Sequence, residues 1–280
     1  LSRGLGDVYK RQDKYEQPDT DFPTDVRTMV LQGDTLWIGS LNGLYTYQLK
    51  SRQLNHFDSK QTGLPHNTIY SIIHTKDNQI YIGTYNGLCR YVQASGKFEN
   101  ILLPVNRGGS NLFVNSLLED TTRQCIWIGM EGYLFQYNPT IGEMKAIEVF
   151  HNNSIKSLAL DGDENLLAGT DNGLYVYQND KEPLQHIIHD SRNIQSLTNN
   201  IIWNIFSDQE HNIWLGTDYG ISLSRYNSAL QFVPISQITG TGDGNQFYSL
   251  FRDSKGMYWF GGTNGLLRFI PVSYTHLRAH

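Results

Sequence analysis

The chain has 280 residues, 39% of them hydrophobic and 12% aromatic, enough to bury the core of one large domain. No stretch approaches the roughly 20 consecutive apolar residues that a membrane-spanning helix needs. A formal net charge of −5 makes it a poor surface for nucleic acid.

Gly6-Asp7-Val8-Tyr9-Lys10-Arg11-Gln12 at one end and Val272-Ser273-Tyr274-Thr275-His276-Leu277-Arg278-Ala279-His280 at the other fit no pattern in the rest of the chain. Both resemble translated sequencing-adapter read-through, so residues 1–12 and 272–280 are set apart as non-native or disordered ends. Without Arg3, Lys10, Arg11, Arg278 and Asp7, the remainder holds 18 basic and 26 acidic side chains, a net of −8.

Lys14-Tyr15-Glu16-Gln17 reads as the last strand of a preceding unit. A strand carrying the apolar pair Val26 and Met29 comes next, then a polar turn, then Leu36-Trp37-Ile38-Gly39 as a second strand. Asn42-Gly43 predicts a type I′ hairpin turn, because both central residues of that turn need positive φ. Leu44-Tyr45-Thr46-Tyr47 is a third strand and Leu54-Asn55-His56-Phe57 a weaker fourth.

The same succession returns five times. Its opening strand carries Ile69/Ile72, Val114/Leu117, Ile155/Leu158, Ile202/Ile205 and Phe247/Leu250. Polar hairpin turns follow, as at Thr75–Gln79, Asp161–Asn165, Asp208–Asn212 and Asp253–Gly256. Second strands end at the anchor glycines Gly83, Gly129, Gly169, Gly216 and Gly261, at intervals of 44, 46, 40, 47 and 45 residues counted from Gly39. Asn-Gly recurs at Asn86-Gly87, Asn172-Gly173 and Asn264-Gly265. Fourth strands are read at Lys97–Ile101 and Leu230–Val233, while Leu266-Leu267-Arg268-Phe269 is a third strand with no fourth after it.

Units of 40–47 residues with four antiparallel strands are the blades of a β-propeller, so the fold class is all-β. Residues 13–271 therefore hold about six blades, and a complete seven-bladed ring cannot be built from this piece alone. The Trp or Tyr before each anchor glycine is expected to pack between blades, and the glycine to mark close backbone approach. Cys89 and Cys125 lack metal-ligand spacing; they read as buried small hydrophobes or a disulfide pair.

Ile202-Trp203-Asn204-Ile205-Phe206-Ser207-Asp208 leading into Ile213-Trp214-Leu215-Gly216-Thr217 resembles the two-component regulator propeller repeat. Gly63-Leu64-Pro65-His66-Asn67 is similar to that family's blade-to-blade linker, and the resemblance covers residues 18–270. Departures are Glu131-Gly132-Tyr133 in repeat three, Leu167-Ala168 in repeat four and Tyr219-Gly220-Ile221 in repeat five. The resemblance implies a periplasmic sensor of a Bacteroidetes hybrid two-component system, detecting oligosaccharides released from glycans. It also implies an adjacent propeller and β-sandwich, homodimerisation, and a separate membrane helix, histidine kinase and DNA-binding end. No cofactor is implied.

Scaffold positions recur in every repeat, whereas binding positions vary within a regular frame. Between the two apolar residues of the opening strand, one position holds Thr28, Ser71, Ser116, Ser157, Asn204 and Ser249, small groups suited to a crowded axis. The other holds Arg27, Tyr70, Asn115, Lys156, Trp203 and Tyr248. Amphipathic rings with a few polar groups suit a sugar at the channel mouth, so these six are the candidate ligand-binding residues; plain channel filling and contact with a neighbouring domain are the competing readings.

Other motifs carry less. Asp161-Gly162-Asp163-Glu164-Asn165 lacks the distant Glu of a calcium loop. His186 and His189, three apart on a predicted strand, point to opposite faces. Gly240-Thr241-Gly242-Asp243-Gly244 reads as an inter-blade loop, since a phosphate loop needs a preceding strand, a following helix and a lysine. No catalytic constellation or metal site is read. The alternatives to a sensor are a propeller enzyme, such as a lyase or quinone-dependent dehydrogenase, and a protein-interaction scaffold.

Overall fold

The computed structural model describes residues 22–105, 112–147, 153–178, 181–236 and 244–269. The predicted strand at Lys14–Gln17, both unusual ends and most of Gly240–Gly244 lie outside them. Six antiparallel sheets follow one another, each with its strands paired in sequence order. The first holds Val26–Gln32, Thr35–Ser40, Gly43–Gln48 and Leu54–Phe57, and the second Ile69–His74, Ile80–Thr84, Gly87–Val92 and Lys97–Ile101. The third holds Val114–Asp120, Cys125–Met130, Leu134–Asn138 and Glu143–Ile147; the fourth, Ile155–Leu160, Leu166–Thr170, Gly173–Gln178 and Lys181–Ile187. Ile202–Ser207, Ile213–Thr217, Gly220–Ser224 and Val233–Pro234 make the fifth, and the three strands Phe247–Arg252, Tyr258–Gly262 and Gly265–Phe269 the sixth. The opening strands of consecutive sheets lie side by side and so surround the axis. The chain is an all-β propeller of six blades.

Five apolar clusters hold it together, one at each junction of consecutive blades. Trp37, Tyr81, Trp127, Leu167 and Trp214, from the second strands, each sit in such a cluster. Trp127 packs edge-on against Tyr177 of the next blade at 5.8 Å, and Trp37 against Tyr91 at 4.8 Å. The opening-strand pairs of blades two to six are buried, with Ile69, Val114, Ile155, Ile202 and Phe247 all at 0% exposure. Val26 and Met29 are the exception: they are exposed, because no described sheet covers that flank of the first blade.

The anchor glycines mark the points where blades touch. A Cβ on Gly83 would lie 2.6 Å from Val114 Cγ1 and 2.7 Å from the Val114 carbonyl oxygen of the next blade. Serines of the constant position bridge the same junctions. Ser71 Oγ donates to the Val114 carbonyl at 3.2 Å, and the Ile205 amide donates to Ser157 Oγ at 3.0 Å. Both positions are structural, as their recurrence implies.

The Asn-Gly turns differ from the type I′ expectation. Positive φ is confined to the glycine, as at Gly43 (145°) and Gly87 (111°), while the preceding asparagines stay negative. The cause is a buried hydroxyl at the end of the second strand. Ser40 Oγ donates to the Gly43 carbonyl at 2.9 Å and accepts from the Asn42 amide at 3.1 Å. Thr84, Thr170 and Thr217 repeat that clamp. The glycine thus occupies the position after an ordinary two-residue turn.

Smaller differences have local causes. Asp58 caps a short helix, Ser59–Thr62, that the repeat pattern does not announce. The fifth blade's last strand shrinks to Val233–Pro234, since Ala229 and Leu230 take positive φ in the turn before it. His189 lies just beyond the strand that carries His186. Cys89 and Cys125 are free, buried thiols. The carboxylate of Asp161 is occupied by its own turn, accepting from the amides of Asp163 and Asn165 and from Asn165 Nδ2, each at 2.9 Å. Among the described residues no group of His, Cys, Asp or Glu is arranged to hold a metal ion.

Candidate functional site

All six candidate residues stand at one structural position, marked by a feature that the sequence does not display. The pairing of each opening strand with its neighbour skips one residue. The first blade pairs Val26 with Ser40 and Thr28 with Gly39, passing over Arg27. The others pass over Tyr70, Asn115, Lys156, Trp203 and Tyr248 in the same way. A β-bulge therefore marks each candidate, leaving it unpaired and re-aimed beside an otherwise regular ladder. All six keep solvent access. They lie at the end of the inner strands that adjoins the turns between second and third strands.

Three of them join directly. The Lys156 ammonium lies over the Trp203 ring, 4.4 Å from its centroid, and Trp203 meets Tyr248 edge-on at 5.3 Å. Residues absent from the sequence reading fix this group. Trp203 Nε1 donates to Asp218 Oδ1 at 3.0 Å, and Gln246 Nε2 donates to the same oxygen at 2.6 Å. Tyr248 in turn donates its hydroxyl to Gln246 Oε1. Asp218 occupies the turn position next to Thr217, and only the fold brings it under Trp203.

A second group forms around Tyr70. Phe113 lies edge-on to Tyr70 at 6.2 Å and to Tyr85 at 4.4 Å, and His66 packs on Tyr85 at 4.8 Å. Burial pushes the Tyr70 hydroxyl above the usual phenol range, opposed by the nearby positive charge of Arg27. Asn115 stands apart from both groups, its amide donating to Ser154 Oγ at 3.1 Å. The mouth thus carries two aromatic groups, each associated with one cation. A tryptophan face with a fixed ammonium and carboxylate beside it can stack on a sugar ring and bond its hydroxyls.

His186 and His189 are held separately. The His186 ring stacks on Tyr175 at 4.1 Å and bonds the Asn172 carbonyl at 2.6 Å, whereas His189 Nδ1 faces the Leu197 carbonyl.

The sequence pattern of the two component regulator propeller family matches residues 63–86 and 196–219. Among solved structures, the extracellular domain of BT4673 from B. thetaiotaomicron, named as a proposed hybrid two-component system, is 82% identical with a TM-score of 0.74. A further structure of that domain, described as part of a proposed one-component system, is 81% identical with a TM-score of 0.73. Each match covers 91% of this chain and 34% of the other, so the chain spans about a third of those domains. A catalytically inactive variant of virginiamycin B lyase from Staphylococcus aureus, solved with quinupristin, shares the fold at 15% identity and a TM-score of 0.64, over 87% of this chain and 79% of the lyase. No curated protein matches the chain. Two of the repeats thus match the two component regulator propeller pattern, and over 91% of its length the chain is similar to part of an extracellular domain of such a signalling system.

Proposed function

We propose that this chain is a non-catalytic sensor propeller on the periplasmic side of a hybrid two-component system. In this reading it detects glycan-derived oligosaccharides at the channel mouth, or relays their binding through an adjacent propeller and β-sandwich to a histidine kinase. The parent protein would dimerise and cross the membrane through a separate helix. The observation that carries the proposal is the bulged position at the mouth. In a chain that otherwise repeats itself, Arg27, Tyr70, Asn115, Lys156, Trp203 and Tyr248 are all different in setting and all lifted out of the ladder.

Relay requires the ligand to prefer one arrangement of the receptor over another. A rim assembled from different blades suits that need, because a ligand spanning Lys156, Trp203 and Tyr248 contacts three blades at once. A lyase-type enzyme on the same fold is the competing reading. Calorimetric titration of the chain, and of the B. thetaiotaomicron extracellular domain beside it, against defined arabinan, galactan and mannan oligosaccharides tests both. Heat of binding with unchanged oligosaccharide on chromatography is the expected result, weakened by about tenfold or more in Trp203→Ala. Turnover of an oligosaccharide would overturn the sensor reading in favour of the enzyme.

A further inference from the structure

A second concave surface lies between the first and second blades at the opposite end of the inner strands from the mouth. Its volume is about 420 Å³, within the roughly 300–1,000 Å³ of small-molecule pockets. Six carboxamides line it: Gln32, Gln48, Asn55, Asn78, Gln79 and Gln93. Among the described lining residues the one charged group, Arg90, has its guanidinium Nη2 on Glu99 Oε2 at 2.7 Å and so adds little net charge.

The aromatic part of the wall is already assembled. Trp37 and Phe57 stack at 6.1 Å with 14° between their planes, and Tyr91 closes edge-on to Trp37 at 4.8 Å. The amides are held as well. Trp37 Nε1 donates to Gln32 Oε1 at 3.0 Å, and Gln32 Nε2 crosses to Asn78 Oδ1 of the second blade at 2.9 Å. Gln48 and the Thr35 hydroxyl bond each other at 2.9 Å. The side chains of Asn55 and Gln93 are exposed in the wall and make no hydrogen bond to other described residues.

At the place of Gln32, blades three, five and six use a carboxylate for the same tryptophan contact: Asp120, Asp208 and Asp253. The first blade alone uses an amide there, and that substitution is what keeps the groove uncharged. A carboxamide offers a donor and an acceptor side by side, which matches neighbouring hydroxyls on a sugar ring, while an anion would find no unpaired cation. Phe57 and Tyr91, both half-buried at the wall, can cover the apolar side of such a ring.

We infer that this groove binds one or two rings of a neutral saccharide, at a site separate from the mouth and independent of the function proposed above. Saturation-transfer NMR on the full chain tests it, with maltose, cellobiose and lactose as neutral probes and glucuronate as the acidic one. Transfer to at least one neutral disaccharide is expected. It should disappear in Gln48→Ala/Asn55→Ala, fall in the exposed single variant Asn55→Asp, and persist in the mouth variant Trp203→Ala. Absence of transfer to every neutral probe, transfer to glucuronate alone, or transfer insensitive to both groove variants but lost in Trp203→Ala would overturn the assignment. The last of these outcomes would leave the mouth site standing, so the two readings fail separately.

Discussion

At the scale of single residues, the tryptophan of the second strand is tied to the hairpin turn that precedes it. Trp127, Trp214 and Trp259 each donate Nε1 to the carboxylate of that turn, at 3.0, 2.8 and 2.9 Å. Asp208 does most. Its carboxylate also accepts from Asn212 Nδ2 at 3.0 Å and from the Tyr258 hydroxyl of the next blade at 2.6 Å. Asp208→Ala should therefore cost about 3 kcal/mol or more in urea denaturation, since each buried donor left unpaired costs about 1–3 kcal/mol. Asp253→Ala should cost clearly less, because Trp259 is only half-buried and water can replace the lost acceptor. Equal losses would contradict the lock.

The same lock has a pH signature. Burial pushes the Asp208 carboxyl up, but the bonds from Trp214, Tyr258 and Asn212 outweigh it and hold it below the usual carboxylate range. Asp120 behaves likewise through Trp127 and Arg123. A group whose pKa falls on folding stabilises the fold above its unfolded value, about 3.9, and loses that contribution as pH drops through the folded value. The urea midpoint should hold from neutrality down to about pH 5 and fall below about pH 4, with a shallower fall in Asp208→Asn. An unchanged slope in that variant would remove Asp208 from the explanation.

At the scale of the strand and hairpin, the glycine before the clamped turn sets how closely blades approach. Gly83→Ala would drive a methyl into the Val114 backbone, and an overpacked junction of this kind costs about 1–3 kcal/mol. Gly142→Ala faces open space and only the strain of φ +70°, about 1 kcal/mol. Thermal melts of the two variants should separate in that order.

The 45-residue rhythm made these elements legible in the sequence, because a position repeated six times with the same size requirement shows through any one irregular copy. The candidate position was visible for the complementary reason, its variability. Its bulge was not visible, since skipping a residue leaves no mark on composition and becomes evident only in the ladder pairing of Ser40 with Val26 and Gly39 with Thr28. The hydroxyl clamp of Ser40, Thr84, Thr170 and Thr217 was present in the motif, yet Asn-Gly drew attention to the wrong turn type. Asp218 and Gln246 could not be found at all. They sit in a turn and a connection with no repeated partner, and only tertiary packing places them against Trp203.

At the scale of the whole molecule, stability is distributed by junction. Blades two to five are covered on both sides by apolar clusters, whereas Met29 is 61% exposed on the first blade and Phe251 59% on the sixth. Native-state hydrogen exchange should find the slowest amides in the inner strands of the third and fourth blades and faster exchange at Val26–Gln32 and Gly265–Phe269. Uniform protection across all blades would show that the junctions open as one unit. Burial also pushes the Cys125 thiol up to about 11 and Cys89 higher still. Neither should react with a water-soluble disulfide reagent at neutral pH until the chain unfolds.

The bulges have a consequence for how such a propeller diversifies. An ordinary strand residue answers to two neighbours across the ladder and to the sheet on either side, so replacing it disturbs several partners. Each of these six residues has been excused from that arrangement by the skip in pairing. The rim can accordingly vary, basic here, aromatic there, with its side chains answering to one another more than to the ladder of the blades beneath. Variation at the rim and loyalty to the fold are thereby held by different residues.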